Sequence, residues 1–151
     1  MTISALALRP LGAEDRAAWE PLWQGYLAFY RTSVPAETTE TTWNRFLDPA
    51  EPMHVLGAFD QDGRLLGIVH YIFHRSTWTP GNYCYLQDLF TIPEARGKGA
   101  GRALIEAVYE KAKAAGASRV HWLTQDGNAT ARALYDQVAD HPGFTQYRKL
   151  L

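Results

Sequence analysis

Several features that define other protein classes are missing from this sequence of 151 residues. It has one cysteine, Cys84, which excludes a scaffold of internal disulfide bonds. No run of about 18 apolar residues occurs, so no membrane-spanning helix is predicted. Neither sign of charge dominates, because 15 Lys and Arg residues stand against 16 Asp and Glu residues. Domains that bind nucleic acid are usually far more basic, so we expect no nucleic-acid partner.

What is present is typical of one folded domain. Hydrophobic residues make up 46% of the chain and charged residues 21%, and the length suits a single domain over residues 1–151. The apolar run 3–8 has no basic residue before it, so it predicts a buried strand and not an export signal. Together with the single cysteine, this favours a cytoplasmic protein with no membrane partner.

Hydrophobic spacing predicts strands and helices around one central sheet. Strands are predicted at 3–8, 54–59, 65–73, 83–92, 119–124 and 144–150. Helices are predicted at 13–30, 38–47, 101–115 and 128–139. The fold class is therefore α/β in the broad sense (α+β), with a mixed twisted sheet of about six to seven strands and about four helices.

The segment 96–102 carries the clearest functional signal. It joins a predicted strand to a predicted helix, and its alternate glycines leave backbone N–H groups uncovered. A helix N-terminus adds unpaired donors and partial positive charge, which suits a diphosphate. A dinucleotide fingerprint would need glycine where Arg102 stands, and no P-loop pattern occurs. A glycine-rich turn with no ligand is the alternative.

Three further matches identify a family. Arg96, Gly99 and Gly101 form an Arg-x-x-Gly-x-Gly pattern, and Tyr135 follows Asn128 by seven residues. A Gly-Phe pair at 143–144 precedes the last predicted strand. In these features the sequence resembles the GCN5-related N-acetyltransferase (GNAT) superfamily, most strongly over residues 85–144. Residues 85–90 resemble the polyamine and thialysine acetyltransferases and the Hpa-type enzymes.

The resemblance implies acetyl-CoA as co-substrate and no metal. It implies that the backbone of Leu89, Phe90 and Thr91 contacts the pantetheine arm, while Asn128 caps its helix and touches the cofactor. The residues implied to surround the diphosphate are Arg96, Gly97, Lys98, Gly99, Ala100, Gly101 and Arg102.

The resemblance also implies that Tyr135 is the acid that protonates the leaving thiolate. The base is less defined, because Gln87 stands where related diamine acetyltransferases have a glutamate with ordered water. Gln87 cannot accept a proton but could position that water. Asp88 is the nearest carboxylate, and alternation makes it the one polar residue on the strand face of residues 84, 86, 90 and 92. Asp88 either binds or deprotonates the amine, forms a salt bridge with Arg75, or is turned to solvent by a bulge.

The acceptor implied by the resemblance is a primary amine, such as a polyamine or an amino acid, rather than a protein lysine. Tyr26 and Tyr30 are expected to line its cavity, and Trp78 to close over it. His70 and His74 lack a third ligand at suitable spacing, so no zinc site is expected. A homodimer is expected from the resemblance alone. Two other functions stay open: an acyl-CoA-binding module without turnover, and a domain that binds a different nucleotide.

Overall fold

The structure, a computed structural model, describes residues 5–151. Within them, one five-stranded sheet has the order β1-β2-β3-β4-β5. Its strands are β1 (Ala7–Pro10), β2 (Met53–Phe59), β3 (Leu65–His74), β4 (Tyr83–Thr91) and β5 (Val120–His121). The helices are α1 (Arg16–Phe29), α2 (Ala36–Leu47), α3 (Ala100–Ala114) and α4 (Ala129–Val138). All neighbouring strands are antiparallel except β4 and β5, which are parallel.

Short polar sequences set the ends of several elements. The Asp60 carboxylate accepts N–H groups from Asp62 and Arg64, which closes the turn between β2 and β3. Gly116, which follows the C-cap residue Ala115 of α3, has a φ of 79°, a left-handed conformation that glycine adopts without strain. These caps confirm the predicted hairpin and the predicted end of the third helix.

Helices cover both faces of the sheet and create two separate cores. One core lies under α1 and α2 and contains Trp19, Leu22, Trp23, Leu27, Trp43, Val55, Ile68 and Ile92, among others. The other lies under α3, with α4 at its margin, and contains Leu56, Val69, Leu86, Leu104, Ile105 and Val108, among others. We call these the aromatic core and the aliphatic core. This three-layer arrangement agrees with the predicted fold class.

A β-bulge interrupts β4 at its centre. His70 of β3 lies opposite Asp88, whereas the next residue, Tyr71, lies opposite Leu86. Gln87 is therefore the extra residue of β4. An extra residue of this kind shifts the side-chain alternation of the strand by one position.

The bulge corrects the prediction that residues 84 to 92 keep one alternating face. Before the bulge, Cys84 and Leu86 belong to the aliphatic core. After it, Phe90 and Ile92 pack with the aromatic core. Asp88 consequently points to the side of α1. Strict alternation assumes an uninterrupted ladder, so it could not anticipate this change.

The strand count was also predicted too high. Residues 5–151 contain five strands, and residues 144–150 pair with none of them. Phe144 and Tyr147 are 84% and 94% exposed. At the other end, the first strand begins at Ala7, and the predicted positions 3 and 4 lie outside the described residues.

Candidate active site

The glycine-rich loop opens α3 as predicted. Gly97 and Gly99 have φ values of 76° and 89°, and no atom beyond the adjacent residues lies within 4 Å of the Cβ position at either residue. The first helical bond runs from the Ala103 N–H to the Gly99 carbonyl, so the amides of residues 100–102 precede it. Since Gly99 offers no side chain to cap these amides, they can donate to an anion from outside the helix.

Cationic side chains surround this loop. The Arg96 guanidinium lies 5.8 Å from the ring centre of Phe29 and 5.7 Å from that of Phe90. Lys98 is exposed in the loop, and Arg102 extends from the first turn of α3. Together with the amide donors, these charges fit the diphosphate of coenzyme A.

Beside the loop, β4 and β5 separate. Only two positions pair, Cys84 with Val120 and Tyr85 with His121. The β5-facing edge of residues 89–91 therefore carries no paired strand within the described residues. An open strand edge can accept and donate hydrogen bonds to an extended, amide-containing chain. The pantetheine arm of coenzyme A is such a chain, so the slot fits the cofactor.

The helix α4 borders this slot. The Asn128 side chain accepts the Ala131 N–H at 3.4 Å, which confirms Asn128 as the N-cap. Tyr135 packs edge-on against Trp122, with ring centres 5.4 Å apart. Tyr135 also lines a cavity of about 290 Å³ between β5, α4 and the segment after α4. Burial, reinforced by the nearby Tyr30, raises the pKa of Tyr135.

On the other side of β4, three tyrosines surround one carboxylate. Tyr26 comes from α1, Tyr30 is the residue that caps the C-terminus of α1, and Tyr85 comes from β4. The pKa of each of these tyrosines is raised, first by burial and then by the negative charge of Asp88. A hydrogen bond to Asp88 further raises the pKa of Tyr26. The Asp88 side chain keeps 13% exposure in this cleft.

The partner of Asp88 is neither Arg75 nor solvent, the two alternatives to a functional role. Its Oδ2 lies 2.9 Å from Nδ1 of His70. The predicted residues Tyr26, Tyr30 and Asp88 are thus brought together, with Tyr135 close to Tyr30. Gln87, in contrast, is exposed at the bulge, and Trp78 is 83% exposed on its loop.

Two contributors to this cleft were missed from the sequence. Tyr85 joins it because the bulge places residues 85 and 88 on one side of the sheet. His70 was considered only as a metal ligand, although a histidine inside the apolar run 65–73 signals a buried hydrogen-bonding role. Its supposed co-ligand His74 contacts His121 instead, with their Nε2 atoms 3.1 Å apart. Among the described residues, no group of three His, Cys, Asp or Glu residues could hold a metal.

Comparison with known proteins decides the family. Residues 19–139 match the acetyltransferase (GNAT) family. The chain belongs to this family. It is 36% identical over 140 residues to the D-amino-acid N-acetyltransferase HPA3 of Saccharomyces cerevisiae, covering 92% of this chain and 87% of that protein. GNAT members use acetyl-CoA, and the predicted N-acetyltransferase activity is confirmed at this level.

Other relatives match a shorter part of the chain, or have the same fold with low sequence identity. The chain is 37% identical to the thialysine N-epsilon-acetyltransferase of Mus musculus over 75 residues, 50% of this chain and 44% of that protein. The predicted Hpa and thialysine branch is thus confirmed. A crystal structure of a probable acetyltransferase has a TM-score of 0.84 at 20% identity, covering 96% of this chain and 97% of the other.

None of the helices within residues 5–151 combines the length and apolarity that crossing a membrane requires.

Proposed function

We propose that this GNAT enzyme transfers the acetyl group of acetyl-CoA to the primary amine of a small molecule, a polyamine, an amino acid or a similar compound. The observation that carries the proposal is Asp88, one carboxylate facing a cleft of tyrosines next to the slot between β4 and β5. A cationic amine is the ligand that such a carboxylate attracts. An amino acid is favoured within this class, because the relative HPA3 bears the name of a D-amino-acid acetyltransferase.

One cation beyond Asp88 also favours an acceptor with a carboxylate. The Arg119 guanidinium lies 4.0 Å from the ring centre of Tyr83, and Arg119 and His121 form one wall of the cavity that contains Tyr135. Burial, together with the nearby Arg119 and His74, lowers the pKa of His121, so Arg119 is the charged group of this wall. An amino acid could place its ammonium at Asp88 and its carboxylate toward this wall, whereas a long diamine would meet positive charge there.

The cofactor would be held by the residues around the loop and slot. The amides of Gly97, of Gly99 and of residues 100–102, with the side chains of Arg96 and Lys98, would bind the diphosphate, whereas the Lys98 N–H donates to the Ala95 carbonyl. The backbone of residues 89–91 would bind the pantetheine arm, and Asn128 would add a polar contact. When bound, acetyl-CoA supplies an acetyl group activated as a thioester.

Two proton transfers fall to the residues of the chain. An alkylamine has a pKa of about 10, so it must lose a proton before it can attack a carbonyl carbon. Asp88 would attract the ammonium and receive its proton directly or through water, which Gln87 could help to position. The N–C bond would form as the C–S bond breaks, and Tyr135 would give its phenolic proton to the departing sulfur. The proton lost by the newly acylated nitrogen would then restore the phenol, directly or through water. Burial raises the pKa of Tyr135, so the phenol holds at neutral pH the proton that this role requires.

A screen for amine-dependent thiol release tests the proposal. The protein is incubated with acetyl-CoA and one of a set of acceptors: polyamines, D- and L-amino acids, and a lysine peptide. We expect free coenzyme A thiol to appear with a small amine and not with the peptide. Heat of coenzyme A binding without thiol release from any acceptor would overturn the proposal and favour a module that binds acyl-CoA without turnover. Tighter binding of ATP or NAD than of coenzyme A would contradict the cofactor assignment.

We also propose that the enzyme is a homodimer joined through residues after α4. This segment exposes Phe144, Tyr147 and Leu150, and the neighbouring strand β5 has only two residues. Burying these side chains against a second copy would remove apolar surface from water. Sedimentation of the full chain should give a dimer, and the pair F144S and Y147S should give a monomer. A wild-type monomer at micromolar concentration would contradict this assembly.

The cytoplasmic location of the enzyme stays a prediction.

A further inference from the structure

A buried series of hydrogen bonds links α1, β3 and β4. The indole Nε1–H of Trp19 donates to Nε2 of His70 at 3.0 Å. Nδ1 of His70 lies 2.9 Å from Oδ2 of Asp88. Trp19 is completely buried and His70 is 2% exposed, so the series runs through the aromatic core and reaches solvent only at Asp88.

The identity of the donors fixes the protonation of the imidazole. An indole N–H can only donate, so Nε2 of His70 must be the acceptor. The single proton of the neutral ring is then on Nδ1, and Nδ1–H donates to Asp88. An imidazolium would place its Nε2–H against the indole N–H. His70 is therefore neutral, and the charge of the Asp88 carboxylate is not cancelled by its partner.

The ring has no room to turn away from Asp88. Trp19, Trp23 and Phe46 surround it, with ring centres 6.0, 5.4 and 4.7 Å from that of His70. The bulge at Gln87 positions the carboxylate as well, because it places Asp88 directly opposite His70 in the pairing of β3 with β4.

We propose that His70 is a positioning residue for the acceptor amine. Held by Trp19, its Nδ1–H fixes one oxygen of the Asp88 carboxylate and leaves the other oxygen available to Tyr26 and to the incoming ammonium. The inference rests on the proposed function, since it assigns to Asp88 the recognition of the amine. His70 itself does not touch the substrate.

Kinetics with two variants of His70 test this role. H70L removes the donor, and we expect kcat/KM for the amine to fall about 10- to 100-fold, the usual weight of a hydrogen bond to a charged group. The KM for acetyl-CoA should stay unchanged. H70N can present an amide N–H near the position of Nδ1, so it should recover part of the loss. A rise in both KM values, or no recovery by H70N, would overturn the proposal.

A matched control separates positioning from stability. T39V breaks another buried bond of the aromatic core, from the Trp23 indole N–H to Thr39 Oγ1 at 3.0 Å, without touching Asp88. It should lower thermal stability while leaving the KM for the amine unchanged. H70L should have little further effect on kcat/KM in a D88N background, because His70 acts through Asp88. Additive losses in the double variant would contradict that dependence.

A spectroscopic readout keeps the inference distinct from the proposed function. Long-range ¹H–¹⁵N correlation spectra of the wild-type protein should show His70 as the neutral Nδ1–H tautomer. Observation of the Nε2–H tautomer or of an imidazolium would refute the positioning role even if the enzyme acetylates amines. Absence of turnover with every amine would refute the proposed function, whatever tautomer is found.

Discussion

The two faces of the sheet are built from different kinds of side chain. Under α3 the core is mainly aliphatic, and its largest fully buried members include Leu56, Leu104 and Ile105. Under α1 and α2 it is aromatic, and the indole N–H groups of Trp19 and Trp23 each bond a buried side-chain acceptor. Apolar packing is the main interaction within the first core, whereas the second also depends on buried hydrogen bonds that are costly to break.

This difference corresponds to the two halves of the site. The aliphatic face carries α3, whose N-terminus presents the amides and cations suited to a diphosphate. The aromatic face carries the carboxylate and tyrosines suited to an amine. The residues of the two halves can therefore be changed separately, and three experiments test this division.

The largest effect is expected where the two halves meet. Y135F removes the proposed acid, and kcat should fall about 10²- to 10⁴-fold with little change in the affinity for coenzyme A. Because the pKa of Tyr135 is raised above its ordinary value of about 10, its ionisation should not lower the wild-type rate below about pH 10. Steady-state rates of the wild-type protein and of Y135F, measured across pH, test both the loss of kcat and the expected pH dependence.

Y109F is the matched control for this experiment. The Tyr109 hydroxyl donates to the Val138 carbonyl at 2.8 Å, so its loss removes a hydrogen bond but no proposed acid. Its kcat should stay within a few-fold of the wild-type value. Equal losses of kcat in Y135F and Y109F would show that Tyr135 serves packing and not proton transfer.

A smaller effect should be confined to the cofactor half. R96E reverses a charge beside the glycine-rich loop and should weaken coenzyme A binding by about 10- to 100-fold in calorimetry, the weight of a lost charged hydrogen bond. K113E makes the same reversal at the far end of α3 and should leave binding unchanged. If R96E lost thermal stability in proportion to its affinity for coenzyme A, Arg96 would stabilise the fold and would not be a ligand of the diphosphate.

The smallest effects are expected in an experiment that compares how substitutions in the two cores change the free energy of unfolding. T39V leaves the Trp23 N–H without its acceptor and should destabilise the protein by about 1–3 kcal/mol, while T39S keeps the hydroxyl and should cost less. I105V trims one methylene from the aliphatic core and should cost about 0.5–1.5 kcal/mol. Denaturant unfolding measures all three. A larger loss in T39S than in T39V would mean that the hydrogen bond does not stabilise the aromatic core.

Much of this architecture was predictable because local rules govern it. The 3.6-residue spacing of α1 and α3, the Asx-type turn after β2 and the left-handed glycine after α3 depend only on nearby residues. The glycine-rich loop follows from its glycines between a predicted strand and a predicted helix, and the resemblance to the family implies the role of Tyr135. Family membership then confirmed the expected fold and the acetyltransferase activity.

The remaining features depend on partners that are distant in sequence. The pairing of His70 with Asp88 follows from the register of β3 and β4, which hydrophobic periodicity does not determine. The same register contains the bulge that moved Asp88 to the other face. The segment 144–150 has the alternation of a strand but finds no partner among the described residues, and a strand requires one.

The extra residue at position 87 gives protein engineers a simple rule for β4. Tyr85 and Asp88 can be varied together in a library to alter which amines are accepted, because both point to the cleft. Cys84, Leu86 and Leu89 support α3 from the opposite side and should be kept constant. A library that randomised every second position through residue 87 would mix the two sets and lose folded members for a reason unrelated to substrate choice.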